Sequence, residues 1–156
     1  MEKTFKFIID ARKAFIGLID GLTIEQLNHI PDGFNNNIIW NFGHIIVATQ
    51  GLCYLRTGVK PDYVVKYGPS YTKGTKPTYT VSQEEVDDLK VLALQTIQQI
   101  EKDYNADVFK EITPFSTSTF HAVMNSIEEV IVTTAGHDNL HFGYALAQRR
   151  IINNTK

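Results

Sequence analysis

The chain has 156 residues, of which 43 % are hydrophobic, and its formal net charge is −2. This size and composition are typical of a single folded domain with a sizeable core and exclude a disordered chain. The sequence has no basic stripe and no apolar run near the roughly 20 residues of a membrane span. Its first residues lack the long apolar stretch and the small-residue cleavage site of a signal peptide, so we expect none. A single cysteine, Cys53, excludes an internal disulfide. We therefore expect a cytoplasmic protein that binds neither nucleic acid nor membrane.

The first predicted element is an amphipathic helix. Apolar side chains recur at three-, four- and seven-residue steps over residues 5–19, as on one buried helical face. Gly21 is placed to end this helix as its carboxyl-terminal cap. Thr23 then begins a short helical turn as its amino-terminal cap, and residues 31–37 are typical of a loop.

The second predicted helix runs from about Ile38 to Arg56 and is strongly apolar. One stripe along it contains Trp40, His44, Val47, Ala48, Gly51 and Leu55. A glycine inside a helix costs about 1 kcal/mol relative to alanine, so we expect close packing or room for a ligand at Gly51. Cys53 lies about half a rotation from His44 and is expected to face away from it as a small buried hydrophobe.

Residues 57–80 form a long connection rich in glycine and proline, with four tyrosines interleaved. Long irregular connections are uncommon in compact domains and often functional, so we interpret this segment as a crossover or lid. Its tyrosines are expected to pack their rings and to hydrogen-bond their hydroxyls at the rim of an opening. Ser82 and Glu85 form a predicted capping box that begins a third helix, which runs to about Asp103.

Residues 105–122 lack a helical rhythm, and their pattern fits either a small hairpin or an extended excursion. Asn125 or Ser126, each followed three residues later by glutamate, caps a fourth helix that extends to about Ile151. These patterns predict an all-α fold, a four-helix bundle with a long connection between helices 2 and 3. We expect it to be one domain over residues 1–156.

Three histidines are the strongest functional signal. His137 and His141 are four residues apart, so on a helix both rings project from one face with Cβ atoms about 6 Å apart. Two imidazoles at that spacing can bind one metal ion at roughly 2.1 Å each. Both lie on the core-facing stripe of the fourth helix, where a polar side chain needs a partner. If that helix faces His44, the three imidazoles form a metal site with one position left open.

Two other interpretations of these histidines stay open at this stage. A histidine on an apolar face is more often a hydrogen-bonded core residue than a ligand, and motif matches include false positives. The segment from His137 to His141 also resembles the His-Glu-x-x-His motif of zinc proteases, with Asp138 in place of the general base. Aspartate is one methylene shorter, and no conventional third ligand follows His141. His29 and His121 are expected to be exposed.

At these residues the chain resembles the DinB-like (YfiT-type) family of metal-dependent proteins, and the resemblance spans nearly the whole chain. The second helix carries Trp40-Asn-Phe-Gly43-His44, similar to the Trp-x-x-Gly-His element of that family. The long connection carries Gly74-Thr-Lys-Pro77, followed by Tyr79 and Val81-Ser82. The last helix carries His137-Asp-Asn-Leu-His141-Phe-Gly143 and then Arg149-Arg150.

The resemblance implies a four-helix bundle that holds a divalent metal ion on His44, His137 and His141. Nickel or zinc is the first expectation for that ion, with iron or manganese as alternatives. The resemblance also implies a homodimer, and some relatives look like transferases that use bacillithiol, mycothiol or glutathione. Leu140 differs from these relatives, which often have a carboxylate or a second histidine there.

We therefore expect a metal-dependent enzyme that acts on a small-molecule substrate, either a transferase using a low-molecular-weight thiol or a hydrolase. Ligating imidazoles usually donate their second N–H to a fixed acceptor. Trp40 is expected to form a wall of the cavity, and the side chains expected to orient ligands or substrate are Asn41, Thr134, Asp138 and Tyr144. The alternative function is a non-catalytic bundle that binds a small molecule or a partner, with a structural metal or none.

Overall fold

The computed structural model describes residues 1–154, and these residues are mostly helical. The α-helices are α1 (Glu2–Asp20), α2 (Ile24–Asn28), α3 (Ile38–Gln50), α4 (Gly68–Tyr71), α5 (Gln83–Asn105) and α6 (Ile127–Asn154). A π-helix, Gly51–Arg56, continues directly from α3. Two short strands, β1 (Phe115–Ser116) and β2 (Val123–Met124), complete the fold. The predicted all-α class agrees with this architecture.

The four long helices pack against one another in a cyclic pattern. Helix α3 contacts α5 and α6, and α1 contacts the same two helices. One apolar cluster lies between most of α3, the carboxyl-terminal part of α1 and the first half of α5. A second cluster joins the beginning of α1, the π-helix, the end of α5 and the beginning of α6. This packing brings the histidines of α3 and α6 face to face.

Helix α3 is the buried centre of the fold. All of its residues except Ala48 are buried, so the helix is enclosed around its whole circumference rather than on one stripe. Together with the π-helix it is long and apolar enough to cross a membrane by length and composition, but 78 % of that window is buried inside the protein. Such burial is what the core helix of a globular domain shows.

The helix caps follow the predicted positions closely, with two differences. Thr23 and Gln26 form a reciprocal capping box at α2, and Ser82 accepts a hydrogen bond from the backbone N–H of Glu85 at α5. Asn37, which the sequence reading placed in a loop, caps α3. The carboxylate of Glu85 does not return to Ser82, because it accepts hydrogen bonds from two tyrosine hydroxyls instead.

The continuous helix predicted up to Arg56 has the expected extent, but its last six residues form a π-helix. π-helical segments are rare and frequently occur at functional sites. The distortion begins at Gly51, where an added Cβ would meet no atom within 4 Å. Gly51 therefore provides open space rather than close packing. The Cys53 thiol is buried, and that burial raises its pKa to about 12, consistent with an unreactive core residue.

The two irregular segments contain more order than their sequences indicate. Residues 57–80 include the single turn of α4, which Tyr67 precedes in the left-handed conformation with φ of 62°. Residues 105–126 contain the antiparallel pairing of Phe115 with Met124 and of Ser116 with Val123. Of the two predicted conformations, the small hairpin is therefore the one that forms.

Candidate metal centre

His44, His137 and His141 come together where α3 faces α6. One ring nitrogen from each histidine lies within 4.8 Å of the others. The ring centroids are 5.1 Å apart for His44 and His137, and 4.6 Å apart for each of the other two pairs. Three imidazoles at this separation surround a volume that one metal ion can occupy.

The connection between α3 and α5 fixes the orientation of His44. Its Nδ1 lies 2.7 Å from the backbone carbonyl oxygen of Tyr71. A carbonyl oxygen can only accept, so Nδ1 carries the proton and Nε2 is left as the metal-binding nitrogen. The Trp40 ring stacks on the His44 ring, with the ring centroids 4.7 Å apart and an angle of 8° between the ring planes. The indole N–H of Trp40 donates to the Thr75 hydroxyl. The Trp40 ring thus lies against one side of the three-histidine cluster.

Gly43 explains how Tyr71 reaches His44. A Cβ at Gly43 would lie 2.6 Å from the Tyr71 ring, closer than real Cβ contacts. The ring of Tyr71 packs directly on the backbone of α3 there, and its hydroxyl donates to Glu85 at 2.6 Å. In the Trp-Asn-Phe-Gly-His element, Gly43 therefore leaves the room that lets Tyr71, from the connection between α3 and α5, contact His44.

Asn41 holds His141 in the same way. The Asn41 Oδ1 accepts from the Nδ1–H of His141 at 2.7 Å, which again leaves Nε2 for a metal. The Asn41 amide nitrogen donates to Gln148 Oε1 and to the Asn37 carbonyl, so the orientation of the amide is determined. Gln148 in turn donates to the Asn36 carbonyl. This network ties the end of α6 to the beginning of α3.

His137 differs from the other two histidines. Its Nδ1 is buried and has no hydrogen-bond partner among residues 1–154. The Thr134 hydroxyl, one turn earlier on α6, is also buried and unpaired within the same residues. The Thr134 hydroxyl therefore makes no hydrogen bond to a histidine within these residues, and no acceptor selects the tautomer of His137. An unpaired buried nitrogen is costly, and metal binding is one way to relieve that cost.

Burial keeps all three imidazoles uncharged at neutral pH. Desolvation and the neighbouring histidines lower the pKa of His137 to about 4 and that of His141 to about 3. Desolvation also lowers the pKa of His44, although the Tyr71 carbonyl opposes this effect. Neutral imidazole is the form that binds metal, and imidazole nitrogens suit divalent transition-metal ions. The residues present therefore fit a divalent ion.

Asp138 faces away from the three histidines. Its Oδ2 accepts from Nε of Arg12 at 2.8 Å, and both side chains are buried. Arg12 also donates to the Ala93 carbonyl at 2.8 Å and to the Thr49 hydroxyl at 2.7 Å. Asp138 is thus part of an ion pair that joins α1, α3, α5 and α6, and it is not positioned as the general base of a zinc protease. Tyr144 is 49 % exposed, with its ring centroid 6.3 Å from that of His141.

A cavity of about 480 Å³ adjoins the histidines. His44 and His137 form part of its lining, together with Gly51 and other residues of the π-helix. Residues 65–73 and residues 117–120 form the rest of its cover. The long connection thus covers the opening beside the histidines, and the hairpin segment, which the sequence did not assign to the site, covers it as well.

The amino-acid sequence was compared with the sequence profiles of known protein families. The sequence profile of the DinB superfamily matches residues 8–145. The chain belongs to the DinB superfamily. No curated protein matches it. The match begins inside α1, contains α3 and α5, and ends inside α6 after all three histidines of this DinB domain.

Sequence reasoning missed several residues of this DinB site. The Tyr71 carbonyl could not be found, because a backbone group carries no residue signal. Arg12 was detectable, because it lies four residues after Ile8 and three before Phe15, on the apolar stripe of α1. A charged residue on such a stripe must be paired in the core.

Proposed function

We propose that this DinB-superfamily protein is a metal-dependent enzyme whose divalent ion, nickel or zinc in the first instance and iron or manganese otherwise, is held by His44, His137 and His141. The observation that carries the proposal is the convergence of three neutral imidazoles beside a covered cavity. The same proposal includes a four-helix bundle, a cytoplasmic location and a homodimer.

The residues of the site have separate tasks in this proposal. The Tyr71 carbonyl and the Asn41 amide hold the Nδ1 protons of His44 and His141, so that each ring presents Nε2. A bound divalent ion with an open position supplies Lewis acidity and lowers the pKa of a coordinated water or thiol. Trp40 closes one side of the centre, and the cavity holds the small-molecule substrate next to His44 and His137. The reaction is either transfer with a low-molecular-weight thiol or hydrolysis.

Elemental analysis of the purified protein tests the ligand set. We expect one divalent ion per chain in the wild-type protein and loss of that ion in the His44→Ala, His137→Ala and His141→Ala variants. His29→Ala is the matched control, because His29 is an exposed histidine at the end of α2 and is not one of the three clustered histidines. If any one of the three variants keeps full metal stoichiometry, the three-histidine assignment is wrong.

The second candidate function is a non-catalytic binding protein, which the largely apolar cavity favours. Thermal unfolding with and without a chelator addresses a structural metal, which would produce a large loss of stability when removed. Assays of thiol conjugation and ester or amide hydrolysis after addition of divalent metals address catalysis. A metal-loaded protein that binds ligands in the cavity without turnover would favour the binding function.

A further inference from the structure

The cavity beside the histidines has an apolar wall. The side chains that form it are those of Val47, Ala48, Leu52, Leu55, Val65 and Phe120. The volume of about 480 Å³ is within the range of pockets that enclose small organic ligands. A wall of this kind binds a hydrocarbon or aromatic body by removing its surface from water.

Two cations lie where this cavity meets solvent. Arg56 and Lys73 are exposed, whereas His44 and His137 are buried, so the two charges lie toward the mouth and the imidazoles toward the interior. Arg56 is the last residue of the π-helix, and Lys73 follows α4. Both cations belong to the lining, and no aspartate or glutamate of the described chain does.

Both cations are held by neutral groups of the same short segment. Lys73 donates to the Ser118 hydroxyl, and Arg56 donates to the Ser116 carbonyl at 3.2 Å. Residues two apart are at most about 7 Å apart along a chain, so the two charges converge on one edge of the mouth. The Arg56 guanidinium also lies 4.9 Å from the centre of the Phe115 ring.

Neither charge is neutralised by an acidic side chain. The ion pairs of residues 1–154 involve Lys6, Arg12, Lys60, Lys66 and Lys90, but neither Arg56 nor Lys73. Two adjacent cations without a counter-charge repel each other and attract an anion. Their position at the edge of an apolar cavity means that the attracted anion can carry an apolar body inward.

We propose that the cavity takes an amphipathic carboxylate, whose acid group pairs with Arg56 and Lys73 and whose apolar body extends along the wall toward His44 and His137. Calling this molecule the substrate rests on the proposed metal-dependent function; its binding by the cavity does not. A neutral analogue loses the charge-assisted hydrogen bonds, and a cationic analogue is repelled by both side chains.

A matched series of probes with one apolar body tests this proposal. Octanoate, octanol and octylamine are titrated by calorimetry into the full-length protein after removal of metal with a chelator, so that no probe can coordinate an ion. We expect octanoate to bind about tenfold more tightly than octanol, as one charge-assisted hydrogen bond would produce, and octylamine to bind most weakly. The preference should decrease at high salt because both cations are exposed.

Substitutions at the mouth assign the preference to the two cations. The Arg56→Gln/Lys73→Gln variant should bind octanoate and octanol equally, while the charge-preserving Arg56→Lys/Lys73→Arg variant should keep the preference. Lys76→Gln is the matched control, since Lys76 is an exposed lysine of the same connection that does not line this cavity. It should bind octanoate as the wild-type protein does.

Two results would overturn the proposal: no preference for octanoate in the wild-type protein, or an unchanged preference in the Arg56→Gln/Lys73→Gln variant. Circular dichroism checks that each variant is folded, and the charge-preserving variant keeps the test valid if the glutamine variant unfolds. The metal stoichiometry of the wild-type protein is measured separately. A wild-type protein without bound metal would refute the metal-dependent function. The proposed carboxylate preference would still be tested by the titration of the metal-free protein.

Discussion

Substituting Gly43 with alanine would disturb the contact that places Tyr71 against His44. The new Cβ would lie 2.6 Å from the Tyr71 ring, and the two atoms must separate to at least 3.4 Å for an ordinary contact. The ring is only 2 % exposed, and its hydroxyl is held by Glu85 at 2.6 Å. Tyr71 therefore cannot rotate freely out of the way, and its backbone must move with its ring.

Two opposing effects determine the stability of this Gly43→Ala variant. Overpacking in a core costs about 1–3 kcal/mol, whereas alanine inside a helix is favoured over glycine by about 1 kcal/mol. The expected net loss of unfolding free energy is thus small, about 0–2 kcal/mol. The effect on metal affinity is larger, because displacing the Tyr71 carbonyl removes the acceptor for the Nδ1–H of His44. Loss of such a partner typically lowers metal affinity about 10–100-fold.

Metal affinity is measured by competition with a chromophoric chelator, and stability by urea unfolding of the metal-free protein. Gly17→Ala is the control, because Gly17 is an exposed glycine within α1 whose added Cβ would meet no atom within 4 Å. That variant should be up to about 1 kcal/mol more stable than wild type, with unchanged metal affinity. A Gly43→Ala protein that binds metal as tightly as wild type would refute the coupling of Tyr71 to His44.

Three further predictions follow from the site and its supports. Asn41→Leu should lower metal affinity about 10–100-fold while Asn41→Asp, which keeps an acceptor for His141, retains binding; normal affinity in the leucine variant would exclude this orienting role. The metal-free protein should lose stability as pH falls from 6.5 to about 4, because in this range the His137 imidazole is protonated in the unfolded chain but stays neutral in the folded protein. Urea unfolding across this range should show a smaller loss of unfolding free energy for His137→Gln. Arg12→Met should destabilise the protein by about 3–5 kcal/mol by leaving the Asp138 carboxylate buried and unpaired, and Arg12→Met/Asp138→Leu should recover most of that loss in the same measurement.

Local patterns in the sequence account for much of the helical structure. The apolar periodicity of residues 5–19 and the caps at Thr23 and Ser82 locate helices whose bounds depend on neighbours only a few positions away. The four-residue spacing of His137 and His141 places both rings on one face for the same reason. These features are local, so they can be predicted without knowing how the chain packs.

The hydrogen bonds that orient His44 and His141 come from residues that are distant in the sequence. Asp138 belongs to the same histidine motif, yet it pairs with Arg12, 126 residues earlier in the chain. The Tyr71 carbonyl reaches His44 only because Gly43 leaves room for the Tyr71 ring. No periodicity or propensity specifies a backbone acceptor, so sequence alone could not identify it.

The sequence by itself determined the long helices, the caps at Thr23 and Ser82 and the choice of His44, His137 and His141 as candidate ligands, because helix formation and side-chain spacing are set within a few residues. The tertiary structure decided that α3 faces α6 with the rings in reach of one ion, that Asn41 rather than Asp138 orients a histidine, and that the π-helix opens a cavity beside them. Those outcomes depend on which buried polar groups find partners across the core, and that depends on the packing of all four long helices together.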